Sequence, residues 1–142
     1  MDIRTITPAY AVSPQIAPED LAAIRAAGFT TVINNRPDAE IPPDWHTEPM
    51  RKAAEAAGLT YVVNPVIGGM LTMENVKAQG AAIAASPGPV LAYCASGNRS
   101  SIVWALAHAG RMPAEDLIGL PGRHGYNLEP FRPQIEALAA GA

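Results

Sequence analysis

The sequence predicts an α/β fold: one domain, residues 1–142, with a mainly parallel central sheet flanked by helices on both faces. Three observations carry this. Short β-branched segments alternate with longer segments of helical apolar spacing. Gly and Pro fall between those segments as punctuation, with no repeat, low-complexity tract or dividing linker. The apolar run Val90–Tyr93 also ends in Cys94, a short polar loop follows, and Ile102-Val103-Trp104-Ala105-Leu106 resumes a helical pattern.

In chain order, Ile3 to Ser13 reads as one or two short strands broken at Pro8. Pro18-Glu19-Asp20 opens a helix, with Pro in the first turn and acids at the positive end of the dipole. Leu21 and Ile24 are its apolar face, and Gly28 follows its end. Phe29 to Asn34 is β-branched and short, a buried strand. After the polar loop Asn35 to Glu40, Thr47 or a neighbour caps a helix over about Glu48 to Ala57, closed by Gly58. Leu59 to Asn64 is the next strand, Pro65 to Leu71 a loop, and Thr72 caps a helix to about Ala85 with Val76 and Ile83 inward. Ser86-Pro87-Gly88-Pro89 turns into the strand that delivers Cys94. Helices are expected over about Ser100 to Ala109, Pro113 to Ile118 and Pro130 to Ala140, the last with Phe131, Ile135 and Leu138 on one face.

Bulk properties exclude several functions. The chain of 142 residues is long enough for a real core, and 49% of it is hydrophobic. No apolar run approaches the roughly 20 residues that span a bilayer, so no membrane partner is expected. Met1-Asp2-Ile3-Arg4 lacks the layout of a signal peptide. A net charge of −3 argues against nucleic acid, whose phosphates need a basic surface. One cysteine allows no internal disulfide, which points to a reducing cytoplasm. Three histidines without ligand spacing argue against zinc, and no metal or organic cofactor is expected.

Ligands of parallel sheets sit beyond the carboxyl ends of the strands. Three loops meet that description: Asn34 to Glu40, Pro65 to Leu71, and Cys94 to Ser100. In the third, Ala95, Ser96, Gly97 and Asn98 supply backbone N–H groups where a helix begins, a ready anion site. Arg99 adds positive charge, and the combined field favours a thiolate at Cys94. A lone cysteine is commonly a small buried hydrophobe. Here the run Cys-x-x-Gly-x-Arg-Ser between strand and helix makes Cys94 a candidate nucleophile, with Ser100 a hydrogen-bond donor to it. Arg36 is placed at the pocket mouth. His46, His108 and His124 are read as structural, and Trp45, Trp104 and Tyr126 as packing.

The segments Ala17 to Asp38, Tyr61 to Val66 and Tyr93 to Ser101 resemble the bacterial beta-lactamase-hydrolase-like phosphatase-domain family, whose members often carry the label of sulfur transferases. Asn35-Arg36-Pro37-Asp38 and Cys94-Ala95-Ser96-Gly97-Asn98-Arg99-Ser100 are the stretches that match most closely. The resemblance implies a fold like the cysteine-dependent dual-specificity phosphatases. Two departures bear on activity. Those phosphatases place five residues between nucleophile and arginine, whereas four separate Cys94 from Arg99, as in the persulfide-carrying loop of rhodaneses. The rhodanese fold itself is not expected, since no Gly-His-Ile-Pro-Gly-Ala segment precedes the cysteine. Phosphatases of this group also take a proton from an aspartate on the loop that corresponds to Pro65–Leu71, which here holds no acid. Asp38, on the neighbouring loop, is the candidate substitute, with a turn aspartate as the equally weighted alternative.

Three readings follow. The first is sulfur transfer through a Cys94 persulfide, from a small anionic sulfane-sulfur donor to a thiol acceptor. The second is hydrolysis of a phosphorylated substrate through a phosphocysteine. The third is a non-catalytic module that senses an anion or persulfide.

Overall fold

A computed structural model describes residues 1–141. Five strands, β1 (Arg4–Thr7), β2 (Tyr10–Ser13), β3 (Thr31–Asn34), β4 (Thr60–Val63) and β5 (Val90–Tyr93), form one sheet in the order β1-β2-β5-β3-β4. β1 and β2 make an antiparallel hairpin across Pro8, and every other pairing is parallel. The helices are α1 (Leu21–Ala26), α2 (Thr47–Ala56), α3 (Met73–Ala85), α4 (Asn98–Ala107), α5 (Ala114–Gly122) and α6 (Arg132–Ala140).

Successive strand residues point to opposite faces, so each strand feeds two cores. Tyr10, Val12, Ile33, Val90 and Ala92 pack under α3, α4, α5 and α6. Ala11, Val32, Tyr61, Leu91 and Tyr93 pack under α1 and α2. β5 is the middle strand, with Tyr93 level with both Ser13 and Asn34. Whatever follows Tyr93 therefore emerges at the centre of the sheet's carboxyl edge. α4 is buried from Ser100 to Leu106, which its all-round apolar sequence requires. Trp104 stacks on Tyr10 at 5.9 Å and 15° and ties α4 to the sheet.

Among the departures from the expected boundaries and caps, three have a physical cause in the structure. α4 starts at Asn98, because Gly97 takes a left-handed conformation (φ 95°) and serves as its N-cap. α5 runs past Ile118 to Gly122: burial of Leu117, Ile118 and Pro121 overrides the breakers in its last turn. α2 is capped from a distance, by Asp38. Thr72 caps α3 as expected, its hydroxyl accepting from the Asn75 N–H at 3.2 Å. No helix of the described residues is long and apolar enough to cross a membrane.

Candidate active site

Cys94 is 1% exposed, yet it belongs to neither apolar cluster. Its Sγ accepts a hydrogen bond from the Gly97 N–H at 3.1 Å. The loop is oriented by its carbonyls. The Ala95 carbonyl accepts from the Gln15 N–H at 3.4 Å, and the Ser96 carbonyl from the Tyr126 hydroxyl at 2.7 Å. A trans peptide points its N–H opposite to its C=O. Tying those carbonyls outward therefore turns the Ser96 and Gly97 amides inward. Among the described residues, the N–H groups of Ala95, Ser96, Arg99 and Ser100 make no hydrogen bond. These orphan donors, at the positive end of α4, form a cradle for negative charge. The Asn98 N–H is instead directed to the Ser96 hydroxyl at 3.2 Å.

Gly97 is required here twice over. A side chain at φ 95° is strained, and a Cβ would overlap the Tyr126 hydroxyl. Tyr126, read from sequence as packing, is thus a strut of the loop; it also accepts from Arg4 at 2.6 Å.

Arg99 lies in the first turn of α4 and engages Glu40 with a fork: Nη1 to Oε2 at 2.9 Å and Nη2 to Oε1 at 2.8 Å. Nη1 also donates to the Val66 carbonyl at 2.7 Å. Its Nε makes no hydrogen bond among the described residues, so the Nε/Nη2 edge remains for an anion. The Arg99 guanidinium is held above its ordinary pKa chiefly by Glu40, with the charge of Cys94 adding to the effect. Arg36 reaches the same carboxylate, Nε to Oε1 at 3.3 Å, and Gln15 Oε1 with Nη1 at 3.2 Å. Hydrogen bonds from Arg99, then those from Arg36, hold the Glu40 carboxyl below the usual glutamate range. The mouth therefore carries two arginines and one ionised carboxylate. Glu40 was not singled out from the sequence; no local pattern signals a contact across 59 positions.

Two predicted site residues lie elsewhere in the hydrogen-bond scheme. The Ser100 hydroxyl donates to Asn35 Oδ1 at 2.9 Å rather than to Cys94, because that oxygen is already fixed by the Gln79 side chain. Asp38 Oδ1 accepts from the Thr47 N–H at 2.9 Å and the Thr47 hydroxyl at 3.0 Å. It supplies the cap that His46, the residue ahead of α2, does not. The three histidines bond to backbone carbonyls of Ile41, Trp104 and Thr5.

A cysteine met by loop amides at a helix N-terminus, beyond the central strand of a mostly parallel sheet, defines the class: a phosphatase-like fold of the cysteine-phosphatase type. The crystal structure of a "putative phosphatase" from Neisseria meningitidis Z2491 superposes with a TM-score of 0.83 at 31% identity, covering 97% of this chain and 99% of that one. PTPMT1 shares the fold alone, with a TM-score of 0.74 at 16% identity over 99% and 100% of the two chains. The chain belongs to the family described as beta-lactamase hydrolase-like protein, phosphatase-like domain, whose model matches residues 2–111. Beta-lactamase hydrolase-like proteins of Xylella fastidiosa Temecula1 and Agrobacterium fabrum C58 are each 35% identical to it, over 90% and 81% of this chain. The chain spans 30% and 27% of the length of those two relatives.

Proposed function

We propose that the domain transfers sulfur through a persulfide on Cys94. The observation that carries this reading is the state of the carboxylates. A phosphoester leaves as an alkoxide or phenoxide and needs a proton, and general acid catalysis is worth about 10²–10⁴-fold. Glu40 is held ionised between two arginines, Asp38 caps α2, and the loop after β4 contains no acid. A sulfane donor leaves as a thiolate, sulfite or sulfinate, anions that are stable at neutral pH and need no proton.

The step balances without a cofactor. The Cys94 thiolate forms a bond to the outer sulfur of the donor. The donor S–S bond breaks, and its electron pair departs with the remaining sulfur. An acceptor thiolate then attacks the outer sulfur of the persulfide and returns Cys94 as a thiolate. The inward amides hold the anionic terminal sulfur, and the free edge of Arg99 binds the donor's head group. Arg36 acts through Glu40, which orients Arg99.

Phosphoester hydrolysis through a phosphocysteine is the second reading. It is favoured by the fold and by the Neisseria meningitidis structure named for a phosphatase. One experiment separates the two. Wild type and Cys94→Ser are incubated with thiosulfate or inorganic polysulfide, then with a thiol acceptor, and followed by intact mass. Sulfur transfer predicts a gain of one sulfur atom on wild type alone, discharged by the acceptor. Efficient aryl phosphate turnover that is lost in Cys94→Ser, with no dischargeable sulfur, overturns it.

A further inference from the structure

A groove of about 480 Å³ has Arg99 in its wall together with Val66, whose carbonyl accepts from Arg99 Nη1 at 2.7 Å. That volume lies within the ~300–1,000 Å³ of small-molecule sites. Arg99, Ile102 and Leu106 fall at i, i+3 and i+7 of α4, so the cation and two apolar side chains share one face of the helix. Leu71, Val76 and Leu138 close the groove from the loop after β4, from α3 and from α6. Its only charged lining residue is Arg99; Thr72 and Gln134 are its other polar side chains. Ile67 and Met73, two of the five large apolar side chains exposed among the described residues, line it, and Met70, a third, lies on the same loop between the lining residues Gly69 and Leu71. Apolar side chains gathered around a concave surface with a few polar groups are the usual lining of a small-molecule site.

The geometry points to an amphiphilic ligand: an anionic head at Cys94 and Arg99, joined to an unbranched hydrocarbon chain that lies in the groove against Ile102 and Leu106. The concave shape and a single cation at one end match one small anion with one tail. This deepens the sulfur-transfer reading, on which it rests, by naming the donor class: an alkanethiosulfonate or a species of the same build. The Cys94 thiolate bonds to the terminal sulfur, the S–S bond breaks, and the alkanesulfinate leaves with the electron pair. No proton or oxidant enters the step.

The test separates binding from chemistry. Unreactive alkanesulfonates of increasing chain length are titrated into Cys94→Ser by calorimetry. The dissociation constant is expected to fall about two- to fourfold per added methylene until the groove is filled. Ala137→Trp fills the groove from its exposed side and is expected to flatten that slope. Met73→Glu does so with a charge that the N-terminus of α3 tolerates, should the tryptophan impair folding. In wild type, kcat/KM for sulfur loading from the matching alkanethiosulfonates is expected to rise in parallel. Affinity independent of chain length, or an unchanged slope in both variants, overturns the groove assignment. Loading from methanethiosulfonate with no chain dependence refutes the groove and keeps the sulfur chemistry. A chain-length series in binding with no loading from any donor keeps the groove and refutes the chemistry.

Discussion

Replacing Glu40 with Gln removes the one negative charge at the mouth while keeping its shape. Two effects oppose each other. The fork to Arg99 loses one charge-assisted bond, which loosens the guanidinium. The carboxylate that repels an incoming anion is also gone. The second effect should win, because the Val66 carbonyl still holds Nη1 at 2.7 Å. An anion on the free edge of Arg99 would sit across the guanidinium from the Glu40 carboxylate, out of direct contact with it. With Glu40 34% exposed, the effective dielectric lies between those of the protein surface and water. The repulsion is then on the order of 1 kcal/mol, about fivefold in affinity. Sulfate or methanesulfonate binding to Cys94→Ser, with and without Glu40→Gln, measures it by calorimetry at low salt. The same change in the otherwise wild-type chain should alter sulfur loading by less than tenfold. Weaker anion binding would show that orientation outweighs repulsion. A hundredfold or greater loss of aryl phosphate turnover would make Glu40 a proton donor and refute the argument against hydrolysis.

Gly97→Ala should destabilise the fold by about 2–3 kcal/mol, from the left-handed backbone and displacement of Tyr126. Tyr126→Phe in the same chain should recover part of that loss in thermal melts, and strictly additive effects would contradict the overlap. Asp38→Ala should cost about 1 kcal/mol through loss of the α2 cap, with Cys94 chemistry reduced less than tenfold. A hundredfold loss with aryl phosphates would instead assign Asp38 the acid role. The stabilising pairing of Glu40 sets a pH dependence whose sign is fixed. Its carboxyl is held below the usual glutamate range by Arg99 and Arg36, so the contribution is fully present above that range and is lost as pH falls through the lowered value. Denaturant midpoints of wild type should therefore exceed those of Glu40→Gln at neutral pH and converge with them in acid.

The legible parts of the sequence were those with local causes. Strand and helix order follow from periodicity and from Gly and Pro, and the Cys94 loop follows from a contiguous run. The phosphatase-like fold and the family followed from resemblance over nearly the whole chain, and the matched model and structures agree. Hidden were contacts whose partners lie far apart and whose residue types have cheaper explanations. Glu40 looks like any loop acid, and Tyr126 like any aromatic in a helical connection. Ser100 could be placed beside Cys94 by sequence, but the direction of its hydroxyl depends on Asn35, 65 positions upstream. Asp38 sits at the end of a candidate loop, yet a vacant cap nine residues later uses its oxygen.

The least legible feature explains the most about the site. Asn35 and Gln79 pair amide to amide, Nδ2 to Oε1 at 2.8 Å and Nε2 to Oδ1 at 3.1 Å. Asn64 donates to the same Gln79 oxygen at 2.9 Å, and Gln79 donates to the Tyr10 hydroxyl at 3.0 Å. Tyr10 in turn donates to the Ser100 carbonyl at 2.8 Å. Buried polar groups are costly unless paired, and each of these side chains is paired. On the other face of the sheet, by contrast, the Ser13 hydroxyl and the Asn34 Nδ2 have no partner among the described residues. The network joins the ends of β3 and β4, α3 and the first turn of α4 into one rigid body beneath the loop. The amides above it cannot turn to satisfy one another, so an anion meets dipoles that are already oriented. Under the sulfur-transfer proposal, a site built this way would stabilise negative charge on sulfur without a proton donor. What distinguishes one anion from another must then come from the size of the Cys94–Arg99 loop and from the apolar wall beside it.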